Sequence, residues 1–422
     1  MKIIGIIGSG AGCVAVLKNL CQKNVRYLKI KIFSEDHTQI GYAYKDAPDF
    51  FIMNTRLDSL TQFDEVIPLQ TWLQRCSETF SDDDYIPRYL YGRYLQDVKD
   101  ELVTHIQDHG GSVEFFEAAD YIDDLGNIIS KGVTYEVDTT VVSIGFGNDL
   151  LNDELFSAIR NCDSSKPIRI FGSGLSAIDL ILYAHDIHPN TSIECISPSG
   201  RFPRVRSQFK SGEGSLFEGL KFGEFGMNDV ISQFNDLLNN DIEKSIIYDE
   251  KFSLIDEIYY CESTIPEWQK ILYSSTLDYC KVYQSFDEED QKLAHELRLK
   301  IIENRAMFPL KNARKLSTLL NDKQLSISKG YYSNESCDSN DFLAFNTAKT
   351  TPFLTLSQLP KHPIAGVDVD KHCKVNDSRS IYCLGPLTNG SRFFTEATSL
   401  TVRDASILVD HIFSARSLTH ND

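Results

Sequence analysis

The chain has 422 residues, 42% of them hydrophobic and 24% charged, with a formal net charge of −18. This length exceeds one ordinary core and predicts two or three domains, and the proportions exclude a disordered chain. An acidic surface repels phosphate backbones, which argues against nucleic acid as a partner; any bound phosphate must meet a local patch of positive potential.

No run reaches the ~18–20 continuous apolar residues of a membrane span, so no membrane partner is expected. The opening residues Met1 to Ile7 have the look of a short signal peptide, but Gly8-Ser9-Gly10 interrupts the apolar run and no small-residue cleavage site follows. The ten cysteines are scattered without a CxxC or a His/Cys cluster at ligand spacing, which points to a reducing, cytoplasmic setting and no metal.

In chain order, residues 2–7 predict a strand, Gly8 to Gly12 a turn, Val14 to Leu20 a helix and Leu28 to Phe33 a second strand, together one βαβ unit. A long irregular stretch from Gly41 to Pro68 follows, and loops of this length are uncommon unless they bind something. Helices are expected at 69–79 and 91–109, short strands within 112–137, and a buried strand from Thr139 to Ile144. A second βαβ unit runs from Ile168-Arg169-Ile170-Phe171 through Gly172-Ser173-Gly174 and a helix over about 176–184 to a strand at Ser192 to Ser197. Residues 215–320 read as helical. Short strands return from Gln324, Ile381 to Leu384 is a last strand, and an amphipathic helix closes the chain at roughly 396–413.

The fold class expected is therefore α/β, with two Rossmann-like dinucleotide-binding domains and an added helical region. The first unit opens the chain, the second begins at about residue 164, and the helical region lies at about 215–320.

The first turn reads Gly8-Ser9-Gly10-Ala11-Gly12-Cys13. Its first glycine permits the tight turn, its second lets backbone approach a pyrophosphate, and the helix N-terminus presents N–H groups. Glu35 closes the second strand, where a carboxylate accepts from a ribose. Cys13 stands where the third glycine of GxGxxG belongs, and an ordinary strand-to-helix turn remains the alternative. In the second turn, Gly172-Ser173-Gly174-Leu175, the third glycine position is Ala177. Its following strand ends without an acid, at Ser197-Pro198-Ser199-Gly200-Arg201-Phe202-Pro203-Arg204-Val205-Arg206. Serine and arginines there favour the 2′-phosphate of NADP; surface salt bridges are the alternative.

These motifs resemble the two-dinucleotide flavoproteins, the FAD/NAD(P)-binding oxidoreductases. The likeness extends over Gly41-Tyr42-Ala43-Tyr44, Met53-Asn54-Thr55, Pro87 to Leu95, Ser143-Ile144-Gly145-Phe146-Gly147-Asn148, Gly366 to Asp370 and Tyr382 to Leu387. Residues 215–330 carry no recognised motif, and Phe345-Asn346-Thr347-Ala348 lacks the family's usual glycine. The resemblance implies FAD in the N-terminal domain, Gly145 at the cofactor and Gly385-Pro386 closing over the flavin. It also implies that the NAD(P) domain, 164–350 with a helical insertion at about 215–320, is inserted into the FAD domain, so that 1–163 is completed by 351–422. More distantly, the motif order is similar to flavin N-hydroxylases and class B-type monooxygenases. There NADPH reduces the flavin and a C4a-hydroperoxide hands one oxygen to the substrate.

The reading is thus a cytoplasmic FAD- and NADPH-dependent oxidoreductase, a monooxygenase taking molecular oxygen to a small polar metabolite, with a homo-oligomer left open. A flavin dehydrogenase or oxidase, or a degenerate flavin-binding interaction protein, are the alternatives; Cys13 and Ala348 keep the last one alive. Lack of CxxC argues against a disulfide reductase, which needs a dithiol beside the flavin. Asn54 is the candidate polar group at the flavin, or else a turn-stabilising Asn. Arg88 and Tyr94 face a ligand or anchor a helix start, Glu396 sits ahead of the last helix, and His295 and His362 receive no role.

Overall fold

The computed structural model describes residues 1–38, 40–44, 47–145, 153–209, 214–221, 224–240, 253–331, 343–346, 359–378 and 380–414. The strands are β1 (Lys2–Ile7), β2 (Leu28–Phe33), β3 (Ser112–Phe116), β4 (Tyr121–Ile122), β5 (Ile128–Ser130), β6 (Val133–Tyr135) and β7 (Thr139–Val142). They continue with β8 (Ile168–Phe171), β9 (Ile193–Ser197), β10 (Val205–Arg206), β11 (Phe308–Pro309), β12 (Leu325–Lys329), β13 (Leu343–Asn346) and β14 (Ile381–Cys383). The helices are α1 (Ala11–Cys21), α2 (Leu69–Arg75), α3 (Arg88–Asp108), α4 (Asp153–Arg160), α5 (Leu175–Ile187), α6 (Met227–Asn240) and α7 (Leu254–Ser263). After them come α8 (Glu267–Ser274), α9 (Tyr279–Ser285), α10 (Glu288–Glu296), α11 (Arg298–Arg305), α12 (Leu310–Asn321), α13 (Asn389–Arg392) and α14 (Thr398–Ser414).

Two parallel sheets organise the chain. The first has the order β14-β7-β1-β2-β3 and the second β12-β9-β8-β13. A parallel strand covered on both faces must be apolar along its length, and Ile4, Ile6, Ile168 and Ile170 are fully buried for that reason. In each sheet the strand before the glycine turn is flanked by neighbours on both sides. β1 pairs with β2 and β7, and β8 with β9 and β13. The chain leaves β1 for α1 and β2 on one side, while β7 lies on the other, which opens a crevice at the carboxyl end of β1; the same holds for β8. Strand β14, from the end of the chain, joins the first sheet beside β7. The fold class is the one expected from the sequence: two Rossmann-like sheets with the second unit's strands inserted between strands of the first.

The long stretch after Gly41 is held by backbone pairing with residues 84–88. Met53 N–H donates to the Ile86 carbonyl at 2.8 Å, Leu57 N–H to that of Asp84 at 2.9 Å and Arg88 N–H to that of Phe51 at 2.7 Å. The helix expected at 69–79 ends at Arg75, because the chain turns left-handed at Ser77. The helix expected at 91–109 begins a turn early, at Arg88, where Pro87 sets the entry geometry.

The helical region builds its own core from Phe209, Phe217, Trp268, Leu272, Tyr279 and Tyr283, and closes it with Phe393 and Phe394 that follow α13. Phe393 adopts a left-handed φ of 63°, which sends two consecutive rings into this core; its ring stacks on Tyr283 at 5.0 Å. The Tyr283 hydroxyl donates to the Gly390 carbonyl at 2.6 Å. Glu396, ahead of the last helix, pairs with Arg298 on α11 at 2.8 Å and so fastens the helical region to the C-terminal segment.

Candidate functional site

Gly8 leaves β1 with φ +100°, and a Cβ there would lie 2.7 Å from the Ser143 carbonyl oxygen. Only glycine fits both demands. A Cβ on Gly12 would lie 2.9 Å from the Ser143 side chain, so the close helix-to-strand approach of the fingerprint falls on Gly12. Cys13 instead enters the core and is fully buried. Ser9 is buried, its hydroxyl donating to the Asp36 carbonyl at 2.8 Å, which ties the turn to the end of β2.

Gly10 differs from its neighbours. It is the N-cap of α1 with an extended φ of −77°, it offers no side-chain cap, and a Cβ there would meet only the Gly41 Cα at 3.9 Å. Gly174 has the same place at α5, with φ −70°, no side-chain cap and no atom within 4 Å of a Cβ. Neither glycine is required by the protein's own packing. Both keep the first-turn N–H groups of a helix open to whatever occupies the crevice. Gly172 repeats Gly8, with φ +108° and its N–H donating to the Ile196 carbonyl at 2.8 Å, while Ser173 is buried and Leu175 opens the helix.

Gly145 (φ +65°) and Gly385 (φ +72°) also have open space where a Cβ would stand. Gly385 and Pro386 begin a buried 3-10 turn, 385–388, directly after β14, which places them at the same sheet end as Gly8. Phe146, Gly147, Asn148, Thr347 and Ala348 lie outside the described residues.

Glu35 is exposed beyond β2 and lines a cleft of about 380 Å3 with His37, Phe116, Lys131 and Tyr135. Asn54 is half-buried after the bridge of Ile52 with Pro87, and its carbonyl accepts from Arg206 Nη1 at 3.2 Å. The three arginines of the second unit separate. Arg201 is half-exposed with Glu303 at 3.9 Å, close to Ser197 and Ser199 at the end of β9. Arg204 turns inward, 3.9 Å from Glu257, a buried carboxylate whose pKa burial raises and Arg204 pulls back. Arg206 is almost wholly buried. Of the three, Arg201 alone keeps the exposure that a 2′-phosphate needs.

Arg88 and Tyr94 both act as anchors. The Tyr94 hydroxyl donates to the Ile67 carbonyl at 2.7 Å. Arg88 donates from Nε to the Ile52 carbonyl at 3.1 Å and meets Asp179 of α5 at 2.6 Å. Sequence reasoning passed over Asp179 as a site-builder and grouped the buried Arg206 with the arginines read as meeting a 2′-phosphate. One sits in an apolar helix and the other in an arginine run, and neither pattern signals burial.

Burial pushes the thiols of Cys13, Cys195 and Cys383 up to about 12. A thiol so raised stays protonated and unreactive. We expect a chromogenic disulfide reagent at pH 8 to leave these three cysteines unmodified in the folded protein and to modify them after denaturation. Rapid reaction of Cys13 in the folded state would contradict its burial. No group of three or more His, Cys, Asp or Glu side chains suited to a metal occurs among the described residues. No helix among them is long and apolar enough to cross a membrane.

Residues 5–147, which take in the first glycine turn and strands β2 to β7, match the model of the FAD-NAD(P)-binding family. The whole chain has the fold of the two-dinucleotide flavoproteins. The ornithine N-hydroxylase of Kutzneria sp. 744, in a structure with reduced FAD, NADP+ and L-ornithine, superposes with a TM-score of 0.55 at 14% identity, over 98% of this chain and 99% of that one. The ornithine hydroxylase of Pseudomonas aeruginosa does so with a TM-score of 0.54 at 12% identity, over 98% of each chain. An FAD-bound cadaverine monooxygenase from Erwinia amylovora gives 0.53 at 13% identity, over 98% of this chain and 94% of that one. At these identities the likeness is one of fold. Comparison with curated proteins by sequence finds no match.

Proposed function

We propose that the chain is an FAD-dependent, NADPH-using monooxygenase acting on a small polar metabolite. The observation that carries this reading is the pair of uncapped helix N-termini behind Gly10 and Gly174, each at the switch point of its sheet and each with room for a ligand where a Cβ would stand. The fold shared with ornithine and cadaverine hydroxylases favours oxygen transfer over the dehydrogenase alternative.

In this reading 1–163 and 351–422 hold FAD and 164–350 holds NADPH. Gly8, Ser9, Gly10, Gly12 and Cys13 shape the first turn, and Glu35 accepts from the ribose hydroxyls. Gly145 and Gly385-Pro386 flank the flavin, and Asn54 is the polar group beside it. Gly172, Ser173, Gly174 and Leu175 receive the second pyrophosphate, while Ser197 and Arg201 meet the 2′-phosphate and Arg204 braces the Arg201 segment from inside. FAD, when bound, supplies the hydride and oxygen chemistry; the protein's part is to orient it, exclude water and present the substrate.

The test is spectroscopic. Protein reconstituted with FAD should bleach on anaerobic addition of NADPH and much more slowly with NADH. In air, a panel of amines and small carboxylates should yield an oxygenated product with one of them. Reduction by NADPH with no oxygenated product from any substrate would sink the monooxygenase assignment, and flavin reduction by substrate alone would replace it with a dehydrogenase.

A further inference from the structure

Among the described residues, the buried Arg206 and the half-buried Arg305 keep buried N–H groups that no protein atom accepts. Arg206, on β10, is 3% exposed. Its Nη1 donates to the Asn54 carbonyl, while Nε and Nη2 have no partner. Arg305 closes α11. Its Nη2 donates to Thr276 Oγ1 at 3.1 Å, and its buried Nε has no partner. The two cations are close enough for Arg206 to disfavour the charge on Arg305, which Tyr279 and Tyr273 also sense. The Arg206 guanidinium lies 4.3 Å from the Tyr273 ring centre and 5.0 Å from that of Phe209; that of Arg305 lies 4.6 Å from Phe394. The buried hydroxyls of Tyr85 and Tyr279 also lack partners.

A buried donor without an acceptor costs about 1–3 kcal/mol, and a charged one more, so such a cluster is stable only if something supplies acceptors. The nearby carboxylates are committed elsewhere. Asp83 and Asp84 line a cavity of about 150 Å3 together with Tyr85 and Arg206, but their oxygens accept from Ser81 at 2.7–2.9 Å. Glu396 pairs with Arg298 and stabilises the Arg305 charge at longer range, but the Arg305 Nε–H still has no acceptor. The phosphates of two dinucleotides have receptors at the glycine turns, and neither arginine lies on a glycine-turn helix.

We propose that Arg206 and Arg305, with the Tyr85 and Tyr279 hydroxyls, form an oxyanion subsite that holds the carboxylate or phosphate of a small substrate, with Tyr273, Phe209 and Phe394 stacking on its planar part. The inference deepens the oxidoreductase reading by naming the substrate as an anion, and it rests on that reading for the word substrate only. The guanidinium N–H groups fix the charged end and the aromatic rings exclude water around it.

The test uses FAD-loaded protein and two probes of one shape, benzoate and benzamide, titrated by calorimetry and followed by thermal shift. Benzoate is expected to bind and stabilise, and benzamide to do neither. Loss of one charged hydrogen-bonding partner should weaken benzoate binding by about ten- to a hundredfold in Arg206→Gln and in Arg305→Gln, with FAD content and NADP+ affinity unchanged. Ligand-free Arg206→Met should be at least as stable as the parent, because an unpaired buried charge is gone. Equal binding of both probes by the unmutated protein overturns the proposal, as does loss of NADP+ or FAD affinity in the arginine variants, which would reassign the donors to a cofactor phosphate. Anion binding without any oxygenated product would refute the monooxygenase reading and leave the subsite standing.

Discussion

Gly10→Ala is expected to fold at nearly parental stability yet to lose FAD, whereas Gly8→Ala is expected to lose both. At Gly10 the backbone is extended and a Cβ has no protein neighbour closer than 3.9 Å. An alanine there changes stability by no more than about 1 kcal/mol, since N-cap preference and unfolded-state entropy act in opposite directions. What it removes is close approach of a ligand to the first-turn N–H groups, and FAD retention should fall at least about tenfold, the effect of ~1.4 kcal/mol. At Gly8 the φ of +100° and the Ser143 carbonyl 2.7 Å away act on the fold itself, with a cost of about 3 kcal/mol from backbone strain and overpacking together. Thermal unfolding of the FAD-free proteins and flavin absorbance after desalting separate the two effects. Gly174→Ala should repeat the pattern in the second unit, sparing FAD and raising KM for NADPH. Should Gly10→Ala retain FAD as the parent does, the turn is an ordinary strand-to-helix connection.

The contrast between these glycines explains what was legible in the sequence. Both βαβ units were readable because a strand, a glycine turn and a helix are local, and each segment's apolar pattern agrees with its place in a parallel sheet. The positions of β1, β2, β8 and β9 follow the sequence to within a residue. The pairing of β14 with β7 joins residues more than two hundred positions apart, and only the family resemblance suggested it. Which glycine does which task was not readable: Gly12, inside the helix, takes the close approach that the motif assigns to position 13. Nor was the fate of the arginines. Arg201, Arg204 and Arg206 are alike in sequence, but the last lies in a strand roofed by the helical region, whose own sequence carries no motif. The side chains that gather around Arg206 and Arg305 come from segments near residues 54, 85, 209, 273 and 394, and nothing in any one of them announces the others.

The contact between Arg88 and Asp179 joins the two units directly, and its removal should make stability depend on pH in a defined direction. Arg88 starts α3 beside the long loop of the first unit; Asp179 lies in the first turns of α5, behind Gly174. Burial raises the pKa of the Asp179 carboxyl above its ordinary value, and the Arg88 guanidinium pulls it back. An acid whose folded pKa stands above its unfolded value contributes stability that is fully present below the unfolded pKa, near 3.9, and is lost as pH rises through the folded one. In the parent the guanidinium limits this loss. Arg88→Met removes the limit, so the variant should be weakest at neutral pH, by about 3–5 kcal/mol, and should recover toward acid by up to ~1.4 kcal/mol per pH unit between the two pKa values. Denaturant titrations of parent and variant from acid to neutral pH measure the slope. Replacing both partners by apolar side chains, Arg88→Met with Asp179→Leu, should flatten the profile and restore much of the loss, because no unpaired charge remains buried. A pH-independent deficit in Arg88→Met would instead assign its role to the hydrogen bond on the Ile52 carbonyl and to packing. Because the same arginine holds Ile52, two residues before Asn54, its loss should also loosen the segment between the two cofactor turns and slow flavin reduction by NADPH more than it weakens FAD binding.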